Sequence, residues 1–330
     1  MPLQGTYTSL SISNGWFQIT HRYGQHDLQT VTVSAPLNAL RGSSEGYWVI
    51  YIHGGAWRDP AITSASFERT QSLLRDSSPS PSAHYASTTL PHIAGFASIE
   101  YRLSPHPNFP QDRAGTDANR LRDARHPDHI HDVRDALALL QSRYGVVGRR
   151  CVLVGHSCGA TLAFQSVMRD LAGAARHESS TGLIQPTAIV GVEGIYDLRL
   201  LRDTYRHCSV YQDFIEGAFG PDEDLWDAVS PATKKDPDGV GIEASWSEGT
   251  LAVLAHSRDD ELVDFGQVSA MKATLEQWAE NQKKNEEKNA RVLVLDDLRG
   301  THDEVWSKGE ELARVIAVVI EELRKMDADP

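Results

Sequence analysis

The amino-acid sequence predicts an α/β fold, in which a mainly parallel sheet of about eight strands is covered by helices on both faces. Segments rich in β-branched and aliphatic residues alternate along the chain with segments of helical periodicity, and such alternation is typical of parallel sheets with helical crossovers. The apolar segments lack strict polar alternation, as expected for strands buried on both faces. No composition shift marks a linker within the 330 residues, so we expect a single domain over 1–330.

Each predicted strand is a short, β-prone segment bounded by turn residues. The clearest is Tyr-Trp-Val-Ile-Tyr-Ile at 47–52, which ends at a Gly-Gly pair. In chain order the predicted strands span residues 16–20, 28–34, 47–52, 95–103, 151–154, 187–192, 251–255 and 291–295.

Helical periodicity identifies the segments between the later strands. The predicted helices span 129–144, a segment that starts at 160, 263–281 and 308–325. Residues 76–90 and 105–127 are rich in Ser, Pro and other helix breakers, so we expect them to be surface loops. The aromatic-rich segment 198–248 does not fit the alternation, and we interpret it as an inserted cap over the functional site.

The composition restricts the classes of partner and location. A net charge of −13 argues against nucleic acid, because phosphate binding needs basic patches. No apolar run approaches the ~20 residues that span a bilayer, and the polar N-terminal segment lacks the apolar core of a signal peptide. Three cysteines, Cys151, Cys158 and Cys208, are too few for a disulfide framework and are expected to be free thiols. We therefore expect a cytoplasmic protein with a small-molecule substrate, as a monomer or a homodimer.

A Gly-His-Ser-Cys-Gly motif at 155–159 joins a predicted strand to the helix that follows it. In this strand-turn-helix context, a G-x-S-x-G motif forms a nucleophile elbow, a strained turn that exposes the serine at the helix N-terminus. The sequence therefore predicts Ser157 as the nucleophile of an α/β-hydrolase. Two alternatives remain: Ser157 only caps the helix, or Cys158 is the nucleophile, which its position in the elbow disfavours.

A serine nucleophile needs a base and an orienting acid, which follow it in this fold in the order Asp or Glu, then His. His302 lies in a Gly-containing loop after the last predicted strand, where the base is expected. Asp259 and Asp260 follow the preceding strand; we select Asp260, because it lies two positions before the apolar pair at 262–263. Asp259 is the alternative acid, both aspartates could instead cap the next helix, and His302 could be a surface histidine.

The segment His-Gly-Gly-Ala-Trp at 53–57 directly follows the strand at 47–52. It matches the glycine-rich loop whose backbone N–H groups stabilise an oxyanion in α/β-hydrolases, although a plain turn at the strand end is the alternative. The predicted oxyanion donors are the backbone amides of Gly54, Gly55 and Cys158.

No metal and no cofactor are expected. Three histidines, His126, His129 and His131, lie close together in the sequence. Their spacing does not place three ligands on one face of a helix, and no cysteine pair accompanies them.

Together with other segments, these motifs resemble the fungal kynurenine formamidases (arylformamidases), a family of the α/β-hydrolase superfamily, over nearly the whole chain. The resemblance rests on His-Gly-Gly-Ala-Trp (53–57), Tyr-Arg-Leu-Ser-Pro (101–105), Gly-His-Ser-Cys-Gly-Ala (155–160), Gly-Ile-Tyr-Asp-Leu (194–198), Asp-Glu-Leu-Val (260–263) and Thr-His-Asp-Glu-Val (301–305).

The resemblance implies that a Ser157–Asp260–His302 triad hydrolyses N-formyl-L-kynurenine to L-kynurenine and formate, in tryptophan catabolism towards NAD. Trp57 and Tyr196 are candidates for packing against the substrate ring. One alternative is a carboxylesterase of the hormone-sensitive-lipase type, which uses the same triad on short acyl esters. Another is a non-enzymatic scaffold, although such relatives usually lack a triad member.

Overall fold

A computed structural model describes residues 7–37, 39, 46–80, 82–146, 150–169, 171, 185–233, 241–284 and 289–328. Nine strands in these residues form one sheet in the order β1-β2-β3-β5-β4-β6-β7-β8-β9. The strands are β1 Tyr7–Ser13, β2 Trp16–Arg22, β3 Thr30–Pro36, β4 Tyr47–Ile52, β5 Ile93–Glu100, β6 Cys151–His156, β7 Ala188–Val192, β8 Leu251–Ser257 and β9 Arg291–Leu298. Along this order, the strands β5-β4-β6-β7-β8-β9 pair in parallel, whereas β1-β2-β3-β5 pair antiparallel.

The predicted mainly parallel α/β architecture is confirmed, with one strand more than expected. The additional strand is β1, a Ser-rich segment at the edge of the sheet. Its Leu10 and Ile12 are 42% and 62% exposed, because an edge strand of this kind buries little apolar surface. The sequence of β1 therefore lacks the pattern of a buried strand.

Eleven α-helices in the described part of the chain connect or cover the strands. They are α1 Glu68–Arg75, α2 Ala83–Thr88, α3 Asp128–Tyr144, α4 Cys158–Gln165, α5 Leu198–Thr204, α6 Ser209–Phe219, α7 Glu223–Val229, α8 Ile242–Ser245, α9 Phe265–Lys284, α10 His302–Ser307 and α11 Glu310–Ala328. The interpretation of 76–90 as a loop is wrong at α2, a short helix without buried side chains and hence without an apolar stripe in its sequence. Residues 105–127 contain neither helix nor strand, as predicted.

Burial on both sheet faces explains the apolar strands without alternation. In β4, Ile50 and Ile52 belong to one hydrophobic cluster, and Val49 and Tyr51 belong to the cluster on the opposite face. All four side chains are fully buried. Helices α3, α4 and α9 contribute to the first cluster, and α11 covers the second. The carboxyl ends of the parallel strands are left at one edge, where the predicted site residues lie.

Helices α5 to α8 lie between β7 and β8 and occupy most of the segment interpreted as an insert. Several of its aromatic side chains are part of the core, and Trp246 stacks on Trp278 of α9 with ring centroids 4.4 Å apart. The three cysteines are free thiols; Cys151 and Cys158 are buried and Cys208 is half-buried. No helix among the described residues is long and apolar enough to cross a membrane.

Candidate active site

Ser157 lies at the sharp turn between β6 and α4. Its backbone has φ 53° and ψ −124°, a left-handed conformation that costs a non-glycine residue about 1–3 kcal/mol. The turn is held by the Ser157 amide, which donates to the carbonyl oxygen of Val192 at 2.9 Å. The predicted strand-turn-helix geometry around Ser157 is thus present.

The two glycines of the motif allow β6 and α4 to approach closely. A Cβ on Gly155 would lie 2.2 Å from the carbonyl oxygen of Gly159, and a Cβ on Gly159 would lie 2.2 Å from that of Ile52 in β4. Backbone atoms cannot move away from such contacts without shifting the strand or the helix. The glycines are therefore required by packing.

His302 is the first residue of α10 and contacts Asp260. The helix starts with a capping box of Thr301 and Glu304, which fixes its first turn. The Nδ1 atom of His302 lies 2.9 Å from Oδ2 of Asp260. Because an ionised carboxylate only accepts hydrogen bonds, Nδ1–H is the donor and the lone pair of the imidazole is on Nε2. This tautomer is the one that a general base requires.

The carboxylate of Asp260 is held from several sides and is fully buried. Its Oδ1 accepts hydrogen bonds from the amides of Leu262 and Val263, both at 2.9 Å. Nε2 of His256 is 3.5 Å from Oδ2 and 2.9 Å from the carbonyl oxygen of Val263. The alternative acid, Asp259, is exposed. Of the two aspartates, Asp260 is the one in contact with His302.

Ser157 and His302 line the same cavity. Among the described residues, no hydrogen bond joins the Ser157 hydroxyl to the His302 imidazole. In unliganded hydrolases such contacts are often long and shorten only when substrate binds. The two side chains therefore line one cavity, and the imidazole is oriented by Asp260.

The loop after β4 has three consecutive residues with positive φ: Gly55 (95°), Ala56 (49°) and Trp57 (60°). The Trp57 amide donates to Sγ of Cys158 at 3.3 Å, so the cysteine in the elbow anchors this strained backbone. Burial raises the pKa of Cys158 to about 11, which keeps the thiol protonated. A Cβ on Gly54 would lie 3.1 Å from Cβ of Ser157, so this glycine allows the loop to lie against Ser157.

Glu193 is a buried acid beside His302 that the sequence pattern does not identify. It follows β7 with φ 50°, and its fully buried Oε2 lies 3.2 Å from Nε2 of His156 and 3.8 Å from Nδ1 of His302. Burial, and then the nearby charges of Asp260 and Glu261, raise the pKa of Glu193 to about 10. The carboxyl group is therefore neutral near pH 7. In the sequence, Glu193 is distinguished only as a single acidic residue at the end of an apolar strand.

His156, which precedes the serine, is the partner of Glu193. Its Nε2 also lies 3.2 Å from the carbonyl oxygen of His302, so His156 connects Glu193 to the backbone of α10. Burial and then the nearby His302 lower the pKa of His156 well below its ordinary value, and the imidazole is neutral. His156 and Glu193 thus form an uncharged pair next to His302, in addition to the pair of His302 with Asp260.

His156, Glu193 and His302 also form a group whose ligand atoms lie within 4.8 Å of one another. These residue types can hold a transition-metal ion. The same atoms, however, already contact one another, and Nδ1 of His302 is bonded to Asp260. An ion bound there would compete with the His302–Asp260 contact.

Of the three histidines that lie close together in the sequence at 126–131, His129 is buried and its Nε2 lies 3.1 Å from Oγ of Ser104.

The cavity has a volume of about 550 Å³, within the range of small-molecule sites. Its wall includes Tyr205, Tyr211 and Phe214 from the segment between β7 and β8, as well as Cys208. Tyr205 and Tyr211 stack with centroids 4.3 Å apart.

The two aromatic residues expected to contact substrate, Trp57 and Tyr196, do not lie on the wall of this cavity. Trp57 is fully buried and packs edge-on against Phe219. Tyr196 is also buried and packs edge-on against Phe164. Neither side chain lines the cavity. The strained backbone directs Trp57 into the core, and Tyr196 fills the space above Gly191 and Gly194.

Comparisons with known proteins give both a family and a fold. A kynurenine formamidase-like hydrolase (fscH) of Fusarium equiseti is 38% identical over 299 residues, which cover 90% of this chain and 91% of the relative. The kynurenine formamidase avaC of Aspergillus versicolor is 35% identical, with 85% and 91% covered. No family model matches the chain.

Solved structures with low sequence identity share the fold. An inhibited esterase B from Lactobacillus rhamnosis matches with a TM-score of 0.60 at 15% identity, over 97% of this chain and 91% of the esterase. An esterase/lipase from an uncultured bacterium has a TM-score of 0.56 at 12% identity, over 96% of this chain and 86% of that one. The sheet, the elbow and these relatives together show that the chain belongs to the kynurenine formamidase family of α/β-hydrolases.

Proposed function

We propose that this protein is an arylformamidase that hydrolyses N-formyl-L-kynurenine to L-kynurenine and formate. The observation that carries the proposal is the 2.9 Å contact between His302 and Asp260 at the wall of the cavity that Ser157 also lines. The family relationship supplies the substrate class, because the relatives are named kynurenine formamidases.

In the proposed mechanism, the Ser157 hydroxyl attacks the formyl carbonyl carbon while its proton passes to Nε2 of His302. Asp260 stabilises the resulting imidazolium. The oxyanion accepts hydrogen bonds from the amides of Gly54, Gly55 and Cys158, and each such donor contributes about 3 kcal/mol to lowering the barrier.

The tetrahedral intermediate collapses when the C–N bond breaks and the proton on His302 passes to the departing aryl amine. This leaves a formyl ester on Ser157. Water, deprotonated by His302, then attacks the ester; the ester bond breaks, His302 returns the proton to Oγ of Ser157, and formate is released. An aryl amine is a better leaving group than an alkyl amine, so an esterase-like triad suffices for this amide. The segment between β7 and β8 acts as a cap in this proposal, because its Tyr205, Tyr211 and Phe214 supply an aromatic wall for the substrate ring.

The test is a comparison of kcat/KM for N-formyl-L-kynurenine and p-nitrophenyl acetate, followed through the absorbance of the products. We expect the formamide to be the preferred substrate. Ser157→Ala should lower kcat/KM by at least about 10³-fold. The control is Ser166→Ala, at the C-terminal end of α4 and outside the cavity wall, which should retain activity. A strong preference for the ester would contradict the proposal and favour the carboxylesterase, which the esterase-like solved structures also fit.

A further inference from the structure

Arg58 is a buried cation on the cavity wall. It directly follows the strained loop, it is only 8% exposed, and it lines the cavity together with Ser157 and His302. Its guanidinium carbon lies 5.7 Å from the ring centroid of Phe214. Among the described residues, no carboxylate lies within ion-pair distance of Arg58, and its guanidinium donates no hydrogen bond. Arg58 thus lies at the wall of the space that a ligand would fill, without a partner for its charge other than the Phe214 ring among the described residues.

Two other arginines of this protein are paired with carboxylates. Arg102 binds Asp132 at 2.8 Å, and Arg199 binds Asp227 at 2.8 Å. The carboxylate next to Arg58 in sequence, Asp59, instead accepts a hydrogen bond from the Ala61 amide at 2.8 Å. Among the described residues, Arg58 differs from these two arginines in having no carboxylate partner.

Leaving a charge unpaired in a buried site is costly. Burial lowers the pKa of Arg58, while Asp213 and Asp59 act on it in the opposite direction through space. A guanidinium group nevertheless remains protonated in proteins. Its flat edge can donate two parallel hydrogen bonds to a carboxylate, and a ligand that supplied one would remove the cost.

We propose that Arg58 binds the carboxylate of the substrate and so makes the enzyme selective for formylated aryl amines that carry an acidic side chain. This inference rests on the proposed function, since the α-carboxylate of N-formyl-L-kynurenine is the group concerned. The acidic residues Asp59, Glu261 and Asp303 also line the cavity, and the Asp59 carboxylate is bonded to the Ala61 amide. Glu261 and Asp303 disfavour an anion on their part of the wall, whereas Arg58 attracts one.

The test compares N-formyl-L-kynurenine with N-formylkynuramine, which has the same aryl formamide but no carboxylate. For the unmodified enzyme we expect kcat/KM to be about 10- to 100-fold higher for the carboxylated substrate, the range of a charge-assisted hydrogen bond. Arg58→Gln should reduce this ratio to about one, mainly through KM. Arg58→Lys keeps the charge without the paired donors, so its ratio should be intermediate. Arg314→Gln, on α11 and paired with Glu311, is the control and should keep the full ratio.

A second measurement does not depend on turnover. In a Ser157→Ala background, we expect L-kynurenine to bind at least about tenfold more tightly than kynuramine, and Arg58→Gln should abolish the difference. Calorimetry would measure both affinities. Two results would overturn the role of Arg58 while leaving the formamidase proposal intact. One is an equal kcat/KM of the unmodified enzyme for the two substrates. The other is a ratio of these kcat/KM values that Arg58→Gln and Arg58→Lys leave unchanged. Failure to hydrolyse either formamide, with tight binding of L-kynurenine still dependent on Arg58, would overturn the formamidase proposal alone.

Discussion

Two adjacent aspartates illustrate what a single residue contributes to this site. The side chain of Asp260 is buried and its carboxylate lies 2.9 Å from Nδ1 of His302, whereas Asp259 is exposed. Asp260→Asn would place an amide against the imidazole and favour the wrong tautomer, so we expect kcat/KM to fall by about 10³- to 10⁴-fold. Asp259→Asn is the matched control and should change kcat/KM by less than about twofold. Steady-state kinetics on the same formamide measures both, and the reverse ranking would identify Asp259 as the acid.

The sequence is sufficient to select some of these residues but not others. Ser157, Asp260 and His302 are expected at strand ends in a fixed chain order, although this rule alone does not separate Asp260 from Asp259. Glu193 and Arg58 cannot be found in this way. Glu193 and Arg58 stand out because they are buried and because of the charged groups that lie near them. Their burial and their charged neighbours depend on segments that are far apart in the chain.

The crossing of β4, β6 and α4 shows what an element requires of its glycines. Gly159→Ala would place a methyl group 2.2 Å from the carbonyl oxygen of Ile52, so we expect a loss of about 3 kcal/mol or more in the free energy of unfolding. Gly217 lies inside α6, and no atom lies within 4 Å of the position that an added methyl group would take. Gly217→Ala should therefore stabilise the protein by up to about 1 kcal/mol. Urea denaturation of both variants measures the two effects, and equal stabilities would contradict the packing account.

Elements were predictable where burial imposed a pattern. The apolar strands β4 to β8 and the striped helix α11 follow directly from their two-sided or one-sided burial. The edge strand β1 and the short helix α2 bury too little to leave such a pattern. They form because neighbouring segments provide hydrogen-bond partners or contacts. The local sequence does not predict those contacts.

At the scale of the whole molecule, Glu193 couples the site to the stability of the fold. The carboxyl group of glutamate ionises near pH 4.5 in the unfolded chain and at about 10 in the folded protein. Below the lower value both states are protonated. As the pH rises between the two values, only the unfolded state loses the proton, so the folded state loses stability by at most about 1.4 kcal/mol per pH unit.

Glu193→Gln replaces the neutral acid by a neutral amide of the same shape and removes this titration. We expect the free energy of unfolding of the variant, minus that of the unmodified protein, to increase steadily from pH 5 to pH 9. Urea denaturation at several pH values gives this difference, in which the contributions of unaltered groups largely cancel. A difference that is constant with pH would mean that Glu193 is ionised in the folded protein.

The distribution of the three thiols has a practical consequence for chemical labelling. Burial raises the pKa of Cys151 to about 12 and that of Cys158 to about 11, so neither forms the reactive thiolate near neutral pH. Cys208 lies on the cavity wall and is half-buried. An alkylating reagent that enters the cavity would therefore modify one sulfhydryl, and a bound ligand would shield it, which makes the rate of alkylation a direct measure of occupancy.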